Sequence, residues 1–138
     1  KQEAVPYQVT GVREQVSGDR GQESGNKTLA QQMEDGKKVY QRTCVACHQA
    51  QGQGLEGAFP PLAKADYLNA NVDRAIETVL KGHTGGITVN GKQYNSMMPP
   101  QPLTPEQIAD VLTYVYHNWE NNKTIVSPER VKKVREKR

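Results

Sequence analysis

The sequence predicts an all-α domain of three to five helices over residues 28–138, preceded by an extended arm or linker over residues 1–27. Three observations carry this. Apolar residues recur at helical spacing in stretches that open on good caps. The only strand-like runs are two short ones beside Asn90-Gly91. A five-residue motif, Cys44-Val45-Ala46-Cys47-His48, puts two thiols on one helical turn with an imidazole beside them.

Residues 1–27 are rich in Gln, Gly, Ser and charge. Val5, Tyr7 and Val9 alternate and suit one short extended segment, but little from Gly11 to Lys27 can be buried. Thr28 is placed to cap a helix from Leu29 that carries Met33, Gly36, Val39 and Tyr40 and runs to about the cysteine motif. Gly52, Gly54 and Gly57, with Pro60 and Pro61, make residues 49–62 an irregular loop. Asp66 to Leu68 suit a short helical turn. A helix over Val72–Lys81 carries Val72, Ile76, Val79 and Leu80 and stops at Gly82. Ile87-Thr88-Val89 and Gln93-Tyr94 pair as a small hairpin around Asn90-Gly91. Thr104, Pro105 and Gln107 form a capping box with proline in the first helical position. The long helix after them is expected to bury Ile108, Val111, Leu112, Val115 and Trp119. Ser127-Pro128 opens a short terminal helix with Val131 and Val134 as its apolar contacts.

Only 35% of the residues are hydrophobic, and the mean hydropathy is −0.80. A core of protein alone would be thin, so a large apolar group at the centre would complete it. No run approaches the roughly 18 apolar residues needed to cross a bilayer. The formal charge of +3 is uneven: residues 1–27 are neutral, 28–123 carry −1 and 124–138 carry +4. Lys132, Lys133, Arg135, Lys137 and Arg138 read as a solvated basic tail on the terminal helix. No basic stripe with interleaved aromatics accompanies them, which excludes nucleic acid as a partner.

The cysteine motif has four chemical readings. A thioredoxin-like pair wants a βαβ context, which no flanking run supplies. Structural zinc needs a second Cys/His pair, and Cys44 and Cys47 are the only cysteines. A disulfide across so small a loop would stabilise little. Covalent haem attachment uses all three groups: each thiol adds to one vinyl group, and His48 reaches the iron. A methionine further along would fill the sixth position, and Met97 and Met98 compete for that role.

The chain resembles the class I c-type cytochromes over about residues 30–138. The resemblance rests on the motif at 44–48, on Phe59-Pro60-Pro61-Leu62, on the Met-Pro step at 98–99, and on Gly36 and Tyr40 opposite Val111 and Tyr114 in the end helices. More narrowly, residues 59–63, 89–100 and 108–115 resemble the cytochrome domains fused to copper nitrite reductases and the monohaem domains serving periplasmic alcohol or sulfite dehydrogenases. The copper-binding segments of a nitrite reductase are absent. The resemblance implies the class I cytochrome c fold with one haem c on Cys44 and Cys47. It implies His48 and Met98 as axial ligands, Met98 being the residue directly before the Pro-Pro pair. It gives the Pro60 carbonyl as the acceptor for His48, with Pro61 the near alternative.

Tyr94 and Asn95 are candidates to hydrogen-bond haem propionates, with Tyr67 a weaker one. Met33 and Trp119 are read as core, His83 as a polar surface residue of a glycine-rich loop and His117 as outward-facing. With both axial positions filled by protein, the iron changes charge and activates no substrate. The expected function is single-electron transfer, without enzymatic activity, between a periplasmic oxidoreductase and another redox partner, for which the arm is a candidate docking element. Glycines 52, 54 and 57 and the Met-Pro loop would rim the electron-exchanging edge, at a small interface below about 1,200 Å2. The alternative is a haem sensor or peroxidase-like protein with a displaceable distal ligand. The chain starts at Lys1 without a visible signal peptide, as a processed exported protein would.

Overall fold

A computed structural model describes residues 27–137. The arm expected over 1–27 lies outside them apart from Lys27. Helix α1 (Leu29–Val39) continues through a wider π-helical turn, Tyr40–Cys44, into α2 (Val45–His48). After the loop come α3 (Asp66–Ala70), α4 (Val72–Lys81), strands β1 (Ile87–Val89) and β2 (Lys92–Tyr94), α5 (Pro105–Tyr116) and α6 (Pro128–Glu136). The described residues therefore form five helical runs and one two-stranded hairpin, as the resemblance to class I c-type cytochromes implies.

Local chemistry starts α1, α4, α5 and α6. Thr28 accepts from the Gln31 N–H at 3.1 Å, and Asn71 from Arg74 at 3.0 Å. Ser127 accepts from Arg130 at 3.1 Å. At α5 the box closes both ways: Gln107 N–H donates to Thr104 at 3.1 Å, and Thr104 N–H donates to the Gln107 side chain at 3.0 Å. The hairpin pairs Ile87 with Tyr94, Thr88 with Gln93 and Val89 with Lys92. Its turn, Asn90-Gly91, has φ of 50° and 82°, which these two residues accept readily. Asp66 and Asn90 exchange two hydrogen bonds at 3.0 and 2.8 Å, fastening the hairpin to α3.

Helices α1 and α5 cross at Gly36. A Cβ there would sit 2.0 Å from the Asp110 carbonyl oxygen and 2.8 Å from the Tyr114 Cβ. Around the crossing lie Val39, Tyr40, Ile108, Val111, Val115 and Tyr116, all buried. Gln32, not Met33, takes the inward place one turn before Gly36. It is fully buried while Met33 is half-buried. Its amide N–H groups donate to Thr113 Oγ1 at 3.2 Å and to the Val126 carbonyl at 2.9 Å, which makes a buried glutamine tolerable.

Trp119 is not on the apolar face of α5. The helix ends at Tyr116, and Trp119 has φ of 55°. Side chains just beyond take over the last carbonyls. The Asn118 amide donates to Tyr114 O at 2.7 Å, and that of Asn121 donates to Val115 O at 3.0 Å. The indole packs from outside the helix, with its ring centre 5.4 Å from that of Tyr40 and 5.8 Å from that of Tyr114. Helix α6 buries Val131 and Val134, and leaves Lys133, Arg135 and Lys137 exposed.

Candidate cofactor site

Cys44 closes the π-helical turn, and Cys47 and His48 follow on α2. The run is held by Tyr40, buried, whose hydroxyl donates to the Gln49 carbonyl at 2.5 Å. Cys44, Cys47 and His48 all border one cavity of about 370 Å3. Phe59, Leu62, Leu68, Val79, Val111 and Leu112 make much of its wall. The two sulfurs are not joined to each other. Burial, with Cys47 adding to it, pushes the Cys44 thiol up to about 11. Such a seat suits a neutral thioether and penalises the thiolate that zinc requires. Among the described residues, no group of three or more His, Cys, Asp or Glu side chains is placed to hold a metal ion on its own.

The loop after α2 aims a carbonyl at His48. Leu55 and Phe59 exchange two main-chain hydrogen bonds at 2.8 Å, and the Gly54 N–H donates to His48 O at 2.9 Å. Leu62 and Ala63 both donate to Gly52 O, at 2.7 and 2.9 Å. Pro60, caught between these ties, places its carbonyl oxygen 2.9 Å from His48 Nδ1. Burial lowers the His48 pKa, and the hydrogen bond to Pro60 opposes that without reversing it. The ring is thus neutral, with its Nδ1 hydrogen committed to Pro60.

Met98 and Met97 both border the cavity. Met98 is half-buried, whereas Met97 is 64% exposed. Tyr94, buried on β2, borders the cavity too, and its hydroxyl has no hydrogen-bond partner among the described residues. Asn95 does not border it. Alternation along the extended chain turns Asn95 outward when Tyr94 faces in, and its Oδ1 lies over Gly86. Tyr67 borders the cavity under the Arg74 guanidinium, 3.6 Å from the ring centre.

His83, expected from the sequence at the surface, also borders the cavity. The signal that places it there is tertiary: its main chain pairs with that of Met98. His117 stays outside, with its Nδ1 2.8 Å from the Thr113 carbonyl.

The cytochrome c family model matches residues 33–119. Cytochrome c-552 of Thermus thermophilus is 40% identical over 124 residues, covering 83% of this chain and 82% of that protein. The fructose dehydrogenase cytochrome subunit of Gluconobacter japonicus is 33% identical over 121 residues, 80% of this chain and 24% of the subunit. Cytochrome c6 of Gloeothece citriformis is 34% identical over 89 residues, 62% of this chain and 71% of that protein. The family's covalent haem needs two sulfurs and a neighbouring imidazole at an apolar cavity, and this chain has them at Cys44, Cys47 and His48. The chain therefore belongs to the cytochrome c family: it is a monohaem c-type cytochrome and electron carrier, with haem c attached through Cys44 and Cys47.

Proposed function

We propose that this domain passes single electrons between a periplasmic oxidoreductase, of the dehydrogenase or nitrite reductase kind, and a second redox protein, with His48 and Met98 as the axial ligands. The observation that carries the reading is that a neutral, oriented imidazole and a half-buried thioether border one apolar cavity. Haem supplies reversible Fe(III)/Fe(II) chemistry when bound. The Pro60 carbonyl holds the Nδ1 hydrogen of His48, leaving the Nε2 lone pair for the metal and fixing the ring's orientation. The Met98 thioether is soft and uncharged and favours the reduced metal. The Tyr94 hydroxyl is free to donate to a haem carboxylate. The apolar wall excludes water, which limits the solvent rearrangement that a change of charge demands. That a fructose dehydrogenase has a cytochrome subunit similar to this chain supports the dehydrogenase branch of the proposal.

The test is the midpoint potential and the ferric sulfur-to-iron absorption band of Met98→Ala and Met97→Ala. Met98→Ala is expected to abolish the band. It should also lower the potential on the order of a tenth of a volt or more, within the roughly 0.8 V that axial ligands span. Met97→Ala should retain both properties. The reverse pattern reassigns the ligand, and carbon monoxide binding to the intact reduced protein at neutral pH would favour a sensor or peroxidase instead.

A further inference from the structure

His83 and Met98 exchange two main-chain hydrogen bonds, His83 N–H to Met98 O at 2.8 Å and Met98 N–H to His83 O at 2.9 Å. Directly opposed residues of an antiparallel pair project their side chains to the same side, with Cβ atoms about 5 Å apart. Both residues border the cavity. The His83 Nε2 is closed off from the open space of the cavity as well as from bulk water and has no hydrogen-bond partner, so the ring must turn to present it to the cavity. A buried nitrogen without a partner has lost its hydrogen bonds to water and gained none in return. Such a group in a native fold calls for an explanation, and a role towards the cofactor is one.

We propose that His83 is a substitute distal ligand, taking the iron's sixth position through Nε2 when the Met98 sulfur leaves it. The proposal rests on the reading that Met98 is the ligand in the intact protein. In the exchange the sulfur–iron bond breaks and the imidazole lone pair forms a nitrogen–iron bond. With the ring hydrogen on Nδ1, no proton and no electron moves. Two donors of different softness thus share one stretch of cavity wall. Loss of the first leaves a closed, lower-potential electron carrier in place of an iron open to small molecules.

The experiment compares the holo-proteins Met98→Ala and Met98→Ala/His83→Ala by ferric spin state and by the rate of carbon monoxide binding to the reduced form. Met98→Ala is expected to be low-spin without the sulfur band. If His83 holds the site nine-tenths of the time, Met98→Ala should bind carbon monoxide about tenfold more slowly than the double variant. Met98→Ala/His83→Gln keeps a polar side chain at 83 and should match the alanine double variant, which covers a failure of the latter to fold. A high-spin Met98→Ala protein that binds carbon monoxide as fast as either double variant overturns the role of His83. A Met98→Ala protein with the sulfur band intact overturns the Met98 assignment itself, and the two failures are told apart by that band.

Discussion

Gly36 shows how much one hydrogen atom in place of a methyl group decides. The Asp110 carbonyl lies where a Cβ would stand, and backbone cannot step aside as a flexible side chain does. Gly36→Ala is expected to cost about 3 kcal/mol or more, at the upper end of overpacking penalties, as a lowered denaturation midpoint of the holo-protein. Asp110 itself is nearly fully buried, and its Oδ2 is 2.6 Å from Lys27 Nζ. Burial raises its pKa and Lys27 opposes the shift. Its Oδ1 and the Gln32 Oε1 are both buried acceptors without a partner. At this scale the sequence was most legible where the chemistry is local. The cysteine motif is contiguous, and the Gly36 spacing is visible within one helix. His83 and Gln32 were not legible. What draws His83 inward is Met98, and what makes Gln32 tolerable inside is Thr113 and Val126, 81 and 94 residues away.

The helices were legible from their ends. Thr28, Thr104 and Ser127 are caps because a hydroxyl reaches an N–H three residues on, whatever the tertiary structure. Thr104→Ala removes the hydroxyl half of the α5 box, leaving the main-chain N–H that donates to Gln107, and is expected to lower stability by about 1 kcal/mol, with the absorption spectrum of the haem retained. The end of α5 was not legible in the same way. Asn121 caps Val115 while also donating to the Leu62 carbonyl and accepting from Asn69, so its position is set by the loop and by α3. The π-helical turn over Tyr40–Cys44 has no composition signature, and the register it gives Cys44 shows only in three dimensions. Helix α6 is tied to α4 by the Arg130–Asp73 ion pair at 2.8 Å as well as by its valines. The ion pair is exposed, so Asp73→Ala should cost less than about 1 kcal/mol, whereas Val131→Ala, in a fully buried place, should cost about 2. Chemical denaturation of both variants checks the order.

For the molecule as a whole, several buried or half-buried groups hold protons more firmly folded than unfolded. Burial raises the phenols of Tyr40 and Tyr114, and that of Tyr116 to about 12. Lys27 is raised as well: burial works against it, but hydrogen bonds and charge from Asp110 and Asp35 outweigh burial. The sign is common to all four. Their contributions are complete below the unfolded pKa, near 10 for tyrosine and 10.5 for lysine, and are lost as pH climbs through the raised folded values. Stability is therefore expected to fall steeply above about pH 10, with Tyr116 alone responsible for something on the order of 2 kcal/mol by pH 12. Denaturant midpoints from pH 8 to 12 check this, and Tyr116→Phe should flatten the alkaline limb. A midpoint indifferent to pH over that range would contradict the burial of these phenols.

The crossing of α1 on α5 also has a consequence for biosynthesis. Gln32 meets Thr113 across 81 positions of chain, and an eleven-residue helix has little persistence without a surface to lie against. A polypeptide emerging from its amino end thus exposes both sulfurs long before the matching helix has been made. Until that crossing forms, the fold leaves both sulfurs open to the vinyl groups, and it shields them only once the two end helices have met.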